Sequence, residues 1–564
     1  MSPIRILFTI GLLSFSILQS AFAQMKMQPV PSWATVYEVN DKFSPEKEAI
    51  SGGYVMISSA EQVHIPSHTQ NIQQATLVFN SAGIEYISTV RINFKASYQQ
   101  IKFHRFALIR NGIYIDQASM PDISIADDES GTQDLIYNGL KTATIHFKDV
   151  RLNDILFINY SLAGQNPVFN DHSGEEFHLV SSDTMDRMVI SVITDPDKPL
   201  LHKTFNTTEE PVFQNRNNLL YTTWDLKNIS KYEWQYYPGW YNPAPHVNFS
   251  DFSSWSDVKS WALPLFQTKE KPSPELLTWI NDVKSKFSST RDRATYAIRW
   301  VQNEVRYLGL EMDVNSHQPA EPNKVFRNRH GDCKDKSLLL STMLGLLGIE
   351  SYSVLVISYE THNLVEQLPA ASAFNHCIAL VRLGGFTFYV DPTINFQGGV
   401  APEIRCPYYG YGLVLNNKST DLVKLTEPLP SRVVMNETFD VNENKGGTIK
   451  VLTTYEGAAA DKMRSDFQYG SWNASQESYT SYYQQVHDSV VVATNLKVTD
   501  DTIANIFNVE ENYIIGNFWV PLISTSNSEL KYFALRGSLI ADYLPDALDN
   551  DYDGPLDLYH PYTL

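Results

Sequence analysis

His330-Gly331-Asp332-Cys333-Lys334-Asp335-Lys336-Ser337 runs directly into Leu338-Leu339-Leu340, Met343, Leu344, Leu346 and Leu347, and Gly348 closes the stretch. An aspartate accepts hydrogen bonds from the unpaired N–H groups of a helix start, and a glycine adopts the left-handed conformation that ends one. The spacing therefore predicts a helix with Cys333 in its first turn, capped by Asp332 and terminated by Gly348. Unpaired backbone N–H groups and the positive end of the helix dipole favour a thiolate there. The bland alternative is an ordinary buried cysteine. The charged neighbours Asp332, Lys334, Asp335 and Lys336 argue against deep apolar burial at this point.

A nucleophilic cysteine needs a base within reach and a group that orients the base. Downstream, His376 opens the run Cys377 to Leu383, Gly384-Gly385 fits a two-residue turn, and Phe386 to Asp391 returns as a second strand. If Leu383 faces Phe386, then Asp391 faces Ile378 and His376 faces Thr393. Side chains alternate along a strand, so His376 and Asp391 then project from one face as diagonal neighbours, roughly 7–8 Å apart between backbones. A slip of one residue would put them on opposite faces. Singly, His376 reads as a hydrogen-bonded core histidine and Asp391 as a turn residue before Pro392. Together with a helix-start cysteine they form a candidate nucleophile, base and orienting acid. A zinc site built from Cys333, His376 and Asp391 is the competing chemistry.

Upstream, Ser273-Pro274-Glu275 combines a capping serine, a proline at the first helical position and an acid in the first turn, predicting a helix to about Phe287. The next starts near Thr290 and places Ala294, Ala297, Ile298, Val301 and Val305 on one stripe. From Pro31 to about Ser250 the pattern is strand-like, as in Thr89 to Phe94 and Ala143 to Phe147, with turns such as Arg110-Asn111-Gly112, which suggests a β-sandwich. The aromatic stretch Tyr232 to Tyr241 reads as packing between domains or as a sugar platform. Beyond Glu427 strands return around helical-looking segments at Ala458 to Phe467 and Tyr479 to Val486.

Met1 to Arg5, the apolar run Ile6 to Leu18 and Ala21-Phe22-Ala23 have the form of a cleaved secretory signal, so the mature chain is expected to begin near Gln24 in the periplasm or outside the cell. No later segment is long and apolar enough for a membrane span. A chain of 564 residues should divide into about three or four domains. Its net charge of -19 repels phosphate backbones and makes nucleic acid a poor partner. Of three cysteines, Cys377 turns away from the His376 face and reads as core, and Cys406 is a possible disulfide partner for it. Near the end, Asp549, Asp551 and Asp553 followed by Gly554 match the start of a calcium loop, but position twelve is His560 rather than glutamate; an acidic solvated turn is the other reading.

Gly331-Asp332-Cys333-Lys334-Asp335-Lys336, Phe374-Asn375-His376 at a strand start, and Tyr389-Val390-Asp391-Pro392-Thr393 resemble the transglutaminase-like superfamily. More narrowly, the chain resembles the exported bacterial branch whose N-terminal β-sandwich is a domain of unknown function, DUF3857. The resemblance is specific from Ser273 to Gly399, looser over the sandwich and weak beyond Glu427. It implies an α+β multidomain fold: a signal over 1–23, a DUF3857-like β-sandwich over 24–265, a papain/transglutaminase-like α+β core over 266–425, and a β-rich C-terminal domain over 426–564. It also implies Cys-His-Asp chemistry on peptide or protein amides of the cell envelope, without a cofactor. The Cys333 N–H would hold the developing oxyanion, with Gln318 as a second donor unless it is a plain surface-loop residue. Because the superfamily includes proteases, amidases, cross-linking enzymes and inactive relatives, an inactive envelope scaffold is the alternative.

Overall fold

The computed structural model describes residues 27–533 except 46–51, 118–121, 129–135, 138, 236, 239, 311, 360–362, 428–429, 443–445 and 522–530, together with 562–563. The expected signal segment and the acidic loop of Asp549, Asp551 and Asp553 lie outside the described residues.

The N-terminal region is built on an eight-stranded sheet. Tyr54–His64 lies near its middle, antiparallel to Thr69–Val78 and parallel to Met185–Thr194. Two three-stranded sheets cover one of its faces. Thr89–Lys95, Leu140–His146 and Asp122–Asp127 pack Phe94 and Ile145 on Phe106 and Ile158. Gly174–His178, His246–Ser250 and Leu201–Phe205 pack Phe177 and Phe249 on Ile190 and Trp224. Each large side chain buried this way contributes roughly 1.5–3 kcal/mol. The opposite face carries Ile57 and Phe157 under Val39 and Phe43. The strand-like reading missed one helix, Ser81–Ile87, which Asn80 caps by accepting the Gly83 N–H at 2.9 Å. Its seven residues are too few for a helical period to emerge from the surrounding alternation.

Helices Trp255–Leu265, Pro274–Lys286, Thr290–Glu304, Pro322–Asn328 and Cys333–Leu346 form the central region with a five-stranded antiparallel sheet. The expected stripe of Ala294, Ala297, Ile298 and Val301 is buried against Leu339, Leu340 and Met343. Ser273 and Ser289 cap their helices, as side-chain acceptors for free N–H groups must. The sheet order is Phe386–Val390, His376–Leu383, Glu350–Val356, Tyr411–Val414, Val423–Lys424. Leu383 faces Phe386 and Ala379 faces Val390, which is the register the two-glycine turn predicts.

Gly384 and Gly385 hold φ of 59° and 86°. An added Cβ would meet nothing within 4 Å at either, so the backbone conformation alone requires glycine. Gly385→Val is expected to lower stability by about 1–2 kcal/mol, read from the urea midpoint, whereas Gly385→Asn should lose much less.

The C-terminal region is a sheet in the order Asp488–Asp501, Ile506–Asn517, Gly447–Glu456, Ser431–Val441, Tyr562–Thr563, with helices Ala458–Tyr469 and Trp472–Gln484 packed on it. Direct bonds join the regions. Asn166 Nδ2 donates to the Asp313 carbonyl at 2.8 Å, Trp261 Nε1 to the Val168 carbonyl at 2.8 Å, and Arg464 Nη1 to the Phe396 carbonyl at 2.9 Å. A two-residue strand, Gly309–Leu310, also pairs in parallel with Ile136–Tyr137 of the sandwich region. The aromatic stretch takes part, since the Trp240 carbonyl accepts from Asn363 Nδ2 at 2.8 Å; Tyr236 lies outside the described residues.

Among the described residues no helix is long and apolar enough to cross a membrane.

Candidate active site

Cys333 is the first residue of helix Cys333–Leu346, and Asp332 caps it. The Asp332 carboxylate accepts the N–H groups of Lys334 at 3.1 Å and Asp335 at 3.2 Å, while Asp335 reaches back to the Asp332 N–H at 3.2 Å. This reciprocal arrangement fixes the direction in which the helix enters the core. The Cys333 N–H, one residue further in, has no acceptor among the described residues. The other end of the helix is the one foreseen, with Gly348 at φ 81°.

The flanking charges do not keep this segment at the surface. Cys333 is 8 % exposed, Asp332 2 %, Lys334 5 % and Lys336 0 %. Each buried charge has found its own compensation, which a local reading of the sequence could not show. Lys334 pairs with Asp332. Asp335 accepts the Ala320 N–H at 2.7 Å as well as that of Asp332. Lys336 Nζ donates to the Val305 carbonyl at 2.6 Å and the Gln302 carbonyl at 3.3 Å, taking up acceptors left open at the end of helix Thr290–Glu304. Burial lowers Lys336 to about 8 despite the attraction of Asp391.

His376 begins its strand, and Asp391 lies one residue beyond the end of the returning one. Their side chains meet as the register requires: His376 Nε2 donates to Asp391 Oδ2 at 2.8 Å. Cys333 lies beside the same imidazole, close enough for each group to shift the other's titration. Ser337, one turn along the cysteine helix, donates from Oγ to the Cys377 carbonyl at 2.9 Å and so ties the helix to the histidine strand. That bond spans 40 residues, and nothing in its sequence surroundings marks it.

Asp391 is 1 % exposed, and both its oxygens are fully engaged. Oδ1 accepts the Thr393 N–H at 2.8 Å and the Thr393 hydroxyl at 2.6 Å. Oδ2 accepts the Tyr409 hydroxyl at 2.6 Å in addition to His376. Tyr409 stands outside the hairpin, on the segment leading to Tyr411–Val414, and its ring centre is 5.4 Å from that of His376. Tyr409→Phe is expected to cost about 1.5–3 kcal/mol in a urea titration, the range for a hydrogen bond to a charged group.

The electrostatics follow from this arrangement. Burial raises the Asp391 carboxyl, but His376, Thr393 and Tyr409 outweigh it and hold the group below the ordinary aspartate value. Burial alone would lower His376; Asp391 and Cys333 reverse that and lift it to about 10. Burial pushes the Cys333 thiol up, His376 pulls it down, and Asp332 adds to the rise. The net direction is upward, so the helix start does not by itself favour the thiolate, and His376 is the group that opposes the rise.

Cys377 and Cys406 are free thiols, so the possible disulfide is not formed. Burial raises Cys377 to about 12 and places Cys406 well above its ordinary value. Gln318 bonds through its N–H to the Val314 carbonyl at 2.8 Å. The cleft it lines is shared with Asp332 and Asp335 rather than with Cys333 or His376. Among the described residues, no three His, Cys, Asp or Glu side chains are grouped as metal ligands.

Residues 278–392 match the family model of the transglutaminase-like superfamily, a span that begins in the Pro274–Lys286 helix and ends just past Asp391. The chain carries a transglutaminase-like core. Residues 66–233 match DUF3857, a domain of unknown function with a solved structure, so the transglutaminase-like core follows a DUF3857 domain. A crystal structure described as "a putative protease from Parabacteroides distasonis" superposes with a TM-score of 0.55 at 13 % identity, over 83 % of this chain and 94 % of that one. At that identity the likeness shows a shared fold. A second structure, "a putative cysteine protease from Cytophaga hutchinsonii", has a TM-score of 0.19 at 12 % identity, over 39 % and 75 % of the two chains, and carries no argument. Comparison with curated proteins gives no match.

Proposed function

We propose that this protein is an exported cysteine hydrolase or acyltransferase acting on peptide or protein amides of the cell envelope. Cys333 is the nucleophile, His376 its base and Asp391 the group that orients the histidine. The observation that supports the reading is that the Cys333 thiol lies beside an imidazole that is itself hydrogen-bonded to the Asp391 carboxylate at 2.8 Å. In the first step the Cys333 sulfur bonds to the acyl carbon, and His376 gives its proton to the departing amine or ammonia. Water or a second amine then attacks the thioester, His376 takes up the incoming proton, and the Cys333 sulfur leaves. The Cys333 N–H, which has no acceptor among the described residues, would donate to the oxyanion of both tetrahedral intermediates.

The enclosure of Cys333 favours a second reading, a scaffold that retains the core for packing. The thiol sits in one apolar cluster with Trp255, Trp261 and Leu413. Envelope peptides offered to wild type and Cys333→Ala, with products followed by mass spectrometry, decide between the two. The enzyme reading expects chain cleavage, ammonia loss or cross-linking by wild type and none by the variant. Unchanged peptides from both, over a broad peptide set, would favour the scaffold.

A further inference from the structure

A cavity of about 200 Å3 lies between the DUF3857 domain and the transglutaminase-like core, on the side of the loop that leads to His376. Gln70 and Glu175 reach it from the sandwich, and Ala371 and Ser372 from that loop. Its walls are tied in place. Ser372 Oγ donates to the Gly174 carbonyl at 3.0 Å and Gln165 Nε2 to the His172 carbonyl at 2.6 Å. The space corresponds to about six or seven bulk water molecules, enough for one small molecule or one side chain.

The charge lining this space is unbalanced. Glu175 lines both the cavity and the adjoining cleft, exposed to that space while protein packs densely around it. Among the described residues, no hydrogen bond or ion pair engages its carboxylate. Glu61 lies close enough to repel it and is bonded to Gln70, whose side chain also lines the cavity. No lysine or arginine is among the lining residues, and the two histidines already have carboxylate partners. His68 Nε2 is 3.3 Å from Asp171, and His172 Nδ1 is 3.2 Å from Asp251. Burial first, and then Glu61, raises the Glu175 carboxyl to about 7, as expected of an acid held without a counter-ion. Beside these polar groups stand Val63, Ile65, Leu162 and Phe252. An apolar wall next to one unpaired acid suits a cation on a short hydrocarbon stem. The absence of a metal-type ligand group among the described residues makes an organic cation the better match.

We propose that this interdomain cavity binds a primary alkylammonium group, with the Glu175 carboxylate as its counter-ion and the apolar wall around its methylenes. The group belongs to a free amine or to a lysine side chain. Such a site stands independently of the thiol chemistry.

Titration of n-butylamine into the full chain tests it. Saturable binding at pH 8 is expected, with at least tenfold loss of affinity in Glu175→Gln and no binding of n-butanol. Affinity should fall between pH 8 and pH 6, because Glu175 becomes neutral across that window; Tyr98, His68 and His172 line the same space and Glu61 lies near enough to repel Glu175. Glu175→Gln should melt at or above wild type, since it removes the repulsion from Glu61. Glu175→Lys supplies its own ammonium; it should also remain folded and no longer take up the amine. Binding of acetyl-Ala-Lys-Ala amide alongside butylamine would assign the site to a lysine side chain, and binding of butylamine alone to a free amine. Equal butylamine affinity in wild type and Glu175→Gln, equal binding of butanol, or no saturable binding by folded wild type would overturn the proposal.

Discussion

At pH 6, Cys333 should react with iodoacetamide far faster than Cys377 or Cys406, and His376→Ala should slow that reaction on the order of 10–100-fold. The proposed chemistry pairs a Cys333 thiolate with a protonated imidazole, and Asp391 and Cys333 lift His376 to about 10. Burial and Asp332 raise the thiol and His376 opposes them, so removing the imidazole leaves the rise unopposed. The thiolate fraction at pH 6 is then expected to drop. The more basic sulfur recovers part of that loss through its greater nucleophilicity. The variant's rate should climb as pH rises toward the thiol's own pKa, while the wild-type rate should change little over the same range. Peptide mapping of the alkylated protein separates the three sites. Uniformly slow reaction of all three in wild type would show that His376 does not activate the sulfur.

The second large effect is expected at Asp391. Asp391→Ala leaves the Thr393 N–H and hydroxyl, the Tyr409 hydroxyl and the His376 N–H aimed at a space that accepts nothing. Breaking a buried ion pair from one side costs about 3–5 kcal/mol, and the urea midpoint should fall accordingly. Asp391→Asn should lose less, because its carbonyl still accepts on one side while its amide confronts a donor on the other. The dependence on acid has a definite sign. Asp391 titrates below its unfolded value in the native protein, so its contribution is present above the ordinary aspartate range and is lost as pH falls through the depressed folded value. The difference in stability between wild type and Asp391→Asn should therefore shrink toward low pH. A difference that stays constant would place the loss in packing rather than in charge.

Much of this site could be anticipated because its geometry is local. Two adjacent glycines set the turn, the turn sets the register, and alternation then brings His376 and Asp391 to one face. Asp332 before an apolar run announced the helix start for a similar reason. Tyr409 and Ser337 could not be read this way, since each meets its partner through tertiary packing with no period or spacing to signal it. The same limit explains the error over the charged neighbours of Cys333. Lys336 looks like a surface residue until the carbonyls of Gln302 and Val305 arrive from another helix.

Helix Trp255–Leu265 follows the DUF3857 match in the chain, yet Trp255, Val258 and Trp261 share an apolar cluster with Cys333, and the Trp261 indole reaches back to the Val168 carbonyl in the sandwich. The surroundings of Cys333 are thus assembled from both modules. Grafting this core onto a foreign amino-terminal partner would carry Cys333, His376 and Asp391 across without the contact that Trp261 makes to the sandwich.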